Sequence, residues 1–290
     1  MTDLYAGLSG LILNNTELQL GHGVVLRRTY AYLFASNMIA FSPATPGQAH
    51  PGPWKSARGG FAHEITAELF IPEDTTNHLG TTDAIAQAVA FTLRLGVDPA
   101  TSLAVLSNRP LAADAQSSDQ DAWITSVEVE ARRFSLTIAN GIPNEVSARL
   151  VADRWPTLLR FSKESAEFAL IVDALNIGQY IHRSALTIVS LWAALEALFS
   201  PSNSELKFRV SSLIAAYLEP PGELRRTRAI AVGKLYDKRS SAAHGKPNHE
   251  TAHLVDSFNL AREILTKLLD EKHIPTKQEL ERLLYGSALE

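Results

Sequence analysis

The order of hydrophobic and polar residues changes character near the middle of the chain. In the first 150 residues, short apolar stretches rich in β-branched and aromatic residues alternate with turn-forming residues, which predicts strands. From about Val151 the apolar residues recur every three or four positions, which predicts helices. We therefore expect two domains: residues 1–150 with an α+β fold, and residues 151–290 as an all-α helical bundle.

The N-terminal half predicts a small sheet with one helix. A helix over 81–96 is expected to begin at a capping Thr81 or Thr82 and to end at Gly96. Residues 42–60 are rich in Pro and Gly, which predicts a long loop. The polar segment 110–123 is expected to be exposed. Strands are predicted at 11–20, 23–34, 62–72, 101–108 and 123–138.

The C-terminal half carries helical periodicity throughout, with hardly any strand signal. Short connections between the helices favour an antiparallel bundle. Pro220 and Pro221 are expected to end the third helix. The helices are predicted around 168–175, 181–199, 208–217, 223–244 and 254–268.

Composition excludes several classes of protein. The chain has no cysteine, which excludes disulfides, thiolate metal sites and a cysteine nucleophile. The longest apolar run, residues 185–199, contains Glu196 and is too short to cross a bilayer. The N-terminal residues lack the basic start and apolar run of a secretory signal. We expect a soluble, cytoplasmic protein without a membrane partner.

Charge is distributed unevenly along the chain. The formal net charge is -4, yet residues 207–246 contain nine basic and three acidic residues, a net charge of +6. Such a segment indicates either a solvated helical face or a site for a polyanion.

One short segment within this basic region, LYDKRSSAAHGKP at 235–247, combines unusual features. Arg239 and His244 are separated by four small residues, and Gly245 and Pro247 are expected to end the helix. A histidine at a helix C-terminus meets the negative end of the helix dipole, which favours the protonated imidazole. Four polar side chains share or flank the face that carries His244: Tyr236, Asp237, Ser240 and Ser241.

Three pieces of the C-terminal half follow one another in this order: LWAALEALF at 191–199, ELKFRVSSLIAAYL at 205–218, and KLYDKRSSAAHG at 234–245. Through these pieces, residues 162–269 resemble the HEPN superfamily, and within it the Apea-like HEPN domains. The last piece fits the superfamily pattern of an arginine followed, after four to six residues, by a histidine.

The resemblance implies a HEPN-type bundle that forms a homodimer and brings Arg239 and His244 of both chains into one cleft. Many such domains are metal-independent endoribonucleases of prokaryotic toxin and antiviral defence systems. His244 would then be the acid or base, and Arg239 would hold the scissile phosphate, a role that suits a guanidinium fork. The expected products carry 2′,3′-cyclic phosphate and 5′-hydroxyl ends, and no cofactor or metal is expected.

Two positions depart from the family pattern. Ser240 stands where many members carry an asparagine, and Lys246 stands where some nucleotidyltransferase-regulated toxins carry a tyrosine. Catalytically inactive HEPN domains also exist. A non-catalytic RNA-binding or scaffold protein therefore stays open as an alternative.

Further residues are expected to support the site. Glu196 lies in an apolar stripe and must find a partner if it is buried, and we expect that partner to be Arg239 of the same chain. Because neither Arg239 nor His244 appears in a core position of the pattern, Arg239→Ala is expected to leave the fold intact. RNA contacts are predicted for Lys238, Lys246, Arg183 and Arg209.

Two other motifs offer different chemistry. HETAH at 249–253 matches the H-E-x-x-H zinc pattern, with His249 and His253 as ligands and Glu250 as the base, so a zinc hydrolase is a second alternative. Candidates for its third ligand are Glu271, Glu279 and Glu281. The segment WKSARGGFAHE at 54–64 is expected to be a surface loop, with base stacking as its alternative. The N-terminal domain is expected to sense or position an unknown ligand or protein.

Overall fold

The structure is a computed structural model that describes residues 2–75, 79–114, 121–130, 132–133, 141–199, 206–243 and 251–286. Contacts within the chain define two compact units, with the division between Arg149 and Leu150. Arg132 and Arg133 belong with the second unit. The first unit contains an antiparallel sheet and the second is helical, which confirms the predicted order of an α+β part followed by a helical part.

The first unit is built on a six-stranded sheet with the strand order β2-β3-β4-β1-β5-β6, in which all described pairings are antiparallel. Buried side chains of β1 and β5 form the centre of its core. The strands are β1 (Leu4–Ser9), β2 (Glu17–Gln19), β3 (Val25–Ala40), β4 (Trp54–Ile71), β5 (Ser102–Ser107) and β6 (Ile124–Ser126).

One helix covers this sheet, as the sequence predicts. Helix α1 (Thr82–Gly96) is capped by Thr81, whose hydroxyl accepts a hydrogen bond from the backbone N–H of Ala84 at 3.3 Å. The helix contacts β1, β4 and β5. A 3₁₀ turn (Glu73–Thr75) precedes it, and a single helical turn, α2 (Leu111–Asp114), follows β5.

The segment 110–123 is not uniformly exposed, contrary to the prediction. Leu111 is buried in a cluster with Ile65 and Val105, and its backbone N–H donates to Oε2 of Glu68 at 2.7 Å. The segment is mostly polar, so its average composition did not indicate that Leu111 would be buried.

Several strand predictions were wrong in extent. The segment predicted as a strand at 11–20 is one only at Glu17–Gln19, and among the described residues of 123–138 only Ile124–Ser126 is a strand. Strand β1 was not predicted, because its side chains are buried on both faces and show no alternation. The predicted loop at 42–60 is a strand from Trp54 onward. Gly60, with a φ of 103°, does not end this strand; it allows close approach to β3, since a Cβ there would lie 2.0 Å from the carbonyl oxygen of Ala35.

Strands β3 and β4 form a long hairpin that extends beyond the covered part of the sheet. Near its base, Ala31 and Leu33 pack against the core cluster of Ile65, Val105 and Leu111. Farther out, from Phe34 to Ile39 on β3 and from Trp54 to Gly60 on β4, every residue is exposed. We call residues 28–63 the hairpin arm.

The second unit contains the five helices that the sequence predicts, with two additions. A helix precedes the predicted set; it begins at Glu145, in the last residues of the first unit, and continues into the second. A short helix follows the set and is begun by a capping box between Thr276 and Glu279. The described helices are α3 (Glu145–Glu164), α4 (Ala166–Gly178), α5 (Ser184–Phe199), α6 (Leu206–Leu218), α7 (Glu223–Ala243), α8 (Thr251–Glu271) and α9 (Lys277–Leu284).

Large aromatic side chains fill the centre of the helical unit. Trp192 and Phe199 of α5, with Phe168 and Phe258, are almost completely buried. Arg154 of α3 is also buried, and its Nε and Nη2 donate to the two carboxylate oxygens of Asp270 at 2.6 and 2.9 Å. Among the described residues, every helix is too short or too polar to serve as a membrane span.

Candidate functional site

The arginine of the predicted motif lies in the last two turns of α7. The helix continues without interruption through Arg239 to Ala243, the last residue described in this part of the chain. The structure does not describe residues 244–250, so His244, Lys246, His249 and Glu250 lie outside the described residues. The geometry of the site is therefore known on the arginine side.

Arg239 is paired with Glu196 of α5, as the sequence predicts. Its Nη2 lies 2.9 Å from Oε1 and 3.0 Å from Oε2 of Glu196. The two side chains are 21% and 16% exposed, so the pair is largely shielded from water. Arg239 thus helps to fasten α7 to α5, and Arg239→Ala would leave a half-buried carboxylate without its partner. The expectation that this substitution leaves the fold untouched needs revision.

A chain of side-chain contacts supports this pair. The guanidinium of Arg239 stacks over the ring of Tyr236, 5.4 Å from its centroid. That ring packs edge-to-face against Trp192, with centroids 5.3 Å apart. The Trp192 Nε1 donates to the hydroxyl of Ser257 at 3.2 Å, and this hydroxyl donates to the carbonyl oxygen of His253. Helices α5, α7 and α8 are therefore joined at the site.

Tyr236 belongs to the same network through its phenol. Burial raises the pKa of Tyr236, and a hydrogen bond to Glu196 raises this pKa further. Tyr236 thus stays protonated at neutral pH and acts as a donor to Glu196. The carboxylate is held from two sides, which restricts its motion and that of Arg239.

Arg239 differs from a second arginine of the bundle in how fully its donors are used. Arg154 forms a two-pronged pair with Asp270 through Nε and Nη2. The Nε of Arg239, in contrast, is buried and has no hydrogen-bond acceptor among the described residues. A guanidinium has five N–H donors, and Glu196 engages only the Nη2 end of this one. The anchoring of Arg239 therefore leaves donors unused.

The basic residues around the motif divide into two groups. Those in the first half of α7 bind protein acceptors: Arg225 donates to the carbonyl oxygens of Glu219 and Leu283, and Arg228 pairs with Glu219 and Glu263. These arginines hold the helix ends and neighbouring helices together. They cannot contribute fully to binding a polyanion.

Lysines in the second half of α7 line a groove between α7 and α8. The groove has a volume of about 640 Å³, and its lining includes Lys234, Lys238 and His253. In the part of the chain that the structure describes, neither lysine forms an ion pair. Lys238 was predicted as an RNA contact, whereas Lys234 was not, although its i,i+4 spacing from Lys238 is a signal visible in the sequence. Arg239 does not line this groove.

The remaining predicted residues on α6 and α7 occupy varied environments. Asp237 forms an exposed ion pair with Lys207 of α6, in which Oδ2 of Asp237 lies 2.7 Å from Nζ of Lys207. Ser240 is half-buried on α7. Arg209, in the first turn of α6, is half-buried, and its Nε has no acceptor among the described residues.

Arg183 is far from Glu196. It is exposed and immediately precedes α5. Thirteen residues of sequence separate it from Glu196, which corresponds to about 20 Å along the helix axis. The structure therefore does not bring Arg183 next to the Arg239–Glu196 pair.

The zinc motif is only partly described, and two of its proposed third ligands lie elsewhere. Glu271 is separated from His253 by 18 residues of the same helix, about 27 Å. Glu279 caps α9 and pairs with His273, and its hydrogen bonds to Thr276 lower its pKa. Within the described ranges, no three His, Asp or Glu side chains come together in a way that would hold a metal ion.

Comparison with known proteins adds no relative. No protein-family model matches the chain, and no match was found among the curated proteins or the solved structures. The assignment of the helical unit to the HEPN superfamily therefore stays a prediction that rests on the three sequence pieces.

Proposed function

We propose that the helical unit is a HEPN-type, metal-independent endoribonuclease of a prokaryotic toxin or antiviral defence system. In this proposal Arg239 binds the scissile phosphate and His244 transfers the proton at the 2′-hydroxyl or at the leaving oxygen. The reaction leaves a 2′,3′-cyclic phosphate and a 5′-hydroxyl end. The N-terminal unit positions RNA or senses a ligand.

The observation that carries the proposal is the incomplete use of the Arg239 donors. Glu196 and Tyr236 fix the guanidinium in place, so its orientation does not have to be established when substrate binds. A guanidinium fork suits a phosphate, and a preorganised cation stabilises the charge that develops on the phosphorane.

The sequence around His244 supports its role. Gly245 and Pro247 are expected to end the helix next to this histidine, where the helix dipole favours an imidazolium. A histidine that titrates near neutral pH is suited to general acid or base catalysis.

Dimerisation through the bundle is part of the proposal. A groove of about 640 Å³ between α6 and α7 contains exposed Phe208 and Ile230, together with small residues such as Gly233. Exposed apolar side chains on adjacent helices are typical of protein interfaces. A second copy bound here would place two α7 helices near each other.

The test is an incubation of purified protein with total RNA and with tRNA in EDTA, followed by mapping of the product ends. The wild type is expected to produce cyclic-phosphate ends, and His244→Ala is expected to produce none. His182→Ala, which removes an exposed histidine before α5, is the matched control and should cleave like the wild type. Equal cleavage by His244→Ala, or cleavage that stops in EDTA and returns with zinc, would refute the proposal.

A second candidate is a non-catalytic RNA-binding or scaffold bundle. The Arg239–Glu196 ion pair favours it, since a shielded pair that joins two helices has a structural role whether or not RNA is cut. Retained RNA binding with intact RNA in both the wild-type and His244→Ala reactions would support this candidate.

A further inference from the structure

The hairpin arm carries cations and no carboxylate of its own, although Glu64, just outside it, pairs with Tyr32 across the two strands. From Arg27 to His63 the sequence contains no Asp or Glu, and the next acidic residue is Glu64. Arg27 is already engaged, by Glu17 and by the ring of Phe70. Three other cations of the arm are exposed: Arg28, Lys55 and Arg58.

Aromatic rings are exposed at regular intervals along the same arm. Tyr30, Tyr32 and Phe34 occupy alternate positions of β3 and are 67%, 58% and 68% exposed. Tyr32 and Phe34 follow the register shift between Arg28 and Ala31, so they are alternate residues of a regular strand and lie on one face, about 6.8 Å apart. The rings of Tyr32 and Phe34 have centroids 6.1 Å apart. This face therefore presents a row of rings to solvent.

The tip of the arm continues this combination of rings and positive charge. Phe41 and Trp54 are both exposed there. Lys55 is paired across the ribbon with Ile39, and Arg58 lies three residues farther along β4. The exposed cations thus lie at the base of the arm, at Arg28, and near its tip, at Lys55 and Arg58, with the rings of β3 between them.

We infer that the hairpin arm binds single-stranded RNA. Exposed aromatic rings stack on unpaired bases, and neighbouring lysines and arginines neutralise the phosphates, which is how single strands are bound without sequence specificity. The absence of carboxylates over 37 residues favours a polyanion over a second copy of this chain, because two such arms would repel each other. The choice of RNA over DNA rests on the proposed ribonuclease function.

The test measures binding of a fluorescently labelled 20-nucleotide oligouridine to the full chain by anisotropy, at several salt concentrations. All proteins carry His244→Ala, so that cleavage plays no part and failure of the ribonuclease proposal does not affect the result. One variant adds Tyr32→Ala and Phe34→Ala, and another adds Lys55→Ala and Arg58→Ala. The matched controls are Tyr285→Ala, which removes an exposed ring of the helical unit, and the pair Lys163→Ala and Lys277→Ala.

The ring variant is expected to lose at least about tenfold in affinity. The charge variant is expected to reduce the slope of log K against log salt by about 1.4. The controls should bind like the parent. Circular dichroism should match that of the parent throughout, because the side chains substituted in the arm variants and in the controls are exposed.

Several results would overturn the inference. They are absence of oligouridine binding by the parent, equal binding by the parent and both arm variants, or tighter binding of the matching single-stranded DNA. A fourth is a change of sedimentation coefficient in the ring variant without RNA, which would make the arm a contact between copies of the chain.

Discussion

The Nη2 of Arg239 lies 2.9 Å from Oε1 of Glu196, so two residues 43 positions apart join α7 to α5. Both side chains are shielded from water, and Tyr236 holds the pair from a third direction. The residue with the proposed phosphate-binding role is therefore also part of the bundle's framework. Experiments on variants of this site must therefore distinguish a loss of stability from a loss of catalysis.

Glu196→Gln should destabilise the helical unit. Glutamine keeps an acceptor but removes the charge that neutralises the shielded guanidinium, so a loss of about 1–3 kcal/mol in the free energy of unfolding is expected. Urea unfolding measures this loss. Asp237→Asn is the matched control, because it breaks the exposed pair with Lys207 and should cost less than about 1 kcal/mol. Equal losses in the two variants would show that the Arg239–Glu196 pair is no more important than a surface pair.

Arg239→Lys should separate chemistry from structure. Lysine keeps the positive charge beside Glu196 but loses the planar fork, so RNA cleavage is expected to fall at least about 100-fold. Circular dichroism and RNA affinity should change little. Arg154→Lys is the control: it weakens a two-pronged structural pair with Asp270, and should lower the melting temperature without affecting cleavage. Wild-type cleavage by Arg239→Lys would remove Arg239 from the proposed active site.

Lys234→Ala combined with Lys238→Ala tests the groove between α7 and α8. If RNA phosphates lie along this groove, removal of both charges should reduce the salt slope of RNA binding by about 1.4 and raise KM, while kcat stays close to wild type. Anisotropy and initial rates measure these quantities. Lys163→Ala with Lys277→Ala provides the control for loss of two exposed charges. An unchanged salt slope would place the RNA elsewhere.

Phe208→Glu should disrupt the proposed homodimer. A carboxylate in an apolar interface would be desolvated without a partner, so the variant is expected to sediment as a monomer where the wild type sediments as a dimer. Leu224→Glu alters an exposed apolar residue of α7 that does not line this groove, and should leave the dimer intact. A dimer that persists in Phe208→Glu would require a different interface.

Glu68 should make the stability of the N-terminal unit depend on pH. Burial raises the pKa of this carboxyl above its unfolded value of 4.5, even though it accepts a hydrogen bond from Leu111. The native state therefore binds the proton more tightly than the unfolded state, and the free energy of unfolding should fall as the pH rises from about 4.5 through the native pKa.

Glu68→Gln should make this decline shallower, because it keeps an acceptor for Leu111 and removes the titration. Urea unfolding at several pH values between 4 and 7 measures the difference. Glu64→Gln, at an exposed position of the same strand, is the control and should leave the decline as it is. A decline of the same size in the Glu68→Gln variant would assign the pH dependence to another group.

Local patterns in the sequence determined most of the helical architecture. The five helices α4 to α8 follow from their apolar periodicity, and the start of α1 at Thr81 and its end at Gly96 follow from capping residues. These features depend on interactions within a few residues, so the sequence alone carries them. The partner of Glu196 was also predictable, because a carboxylate in an apolar stripe requires a cation and the motif offers Arg239.

Tertiary structure alone decided the features that depend on distant residues. Strand β1 takes its central place in the sheet through pairing with β4 and β5, and the strand from Trp54 exists because β3 pairs with it across the Gly60 contact. The roles of the basic residues of α7 also depend on the fold. Arg225 and Arg228 bind acceptors of the protein, whereas Lys234 and Lys238 line a groove. A residue's neighbours across the fold, and not its neighbours along the chain, determine whether its hydrogen bonds and charge are already used.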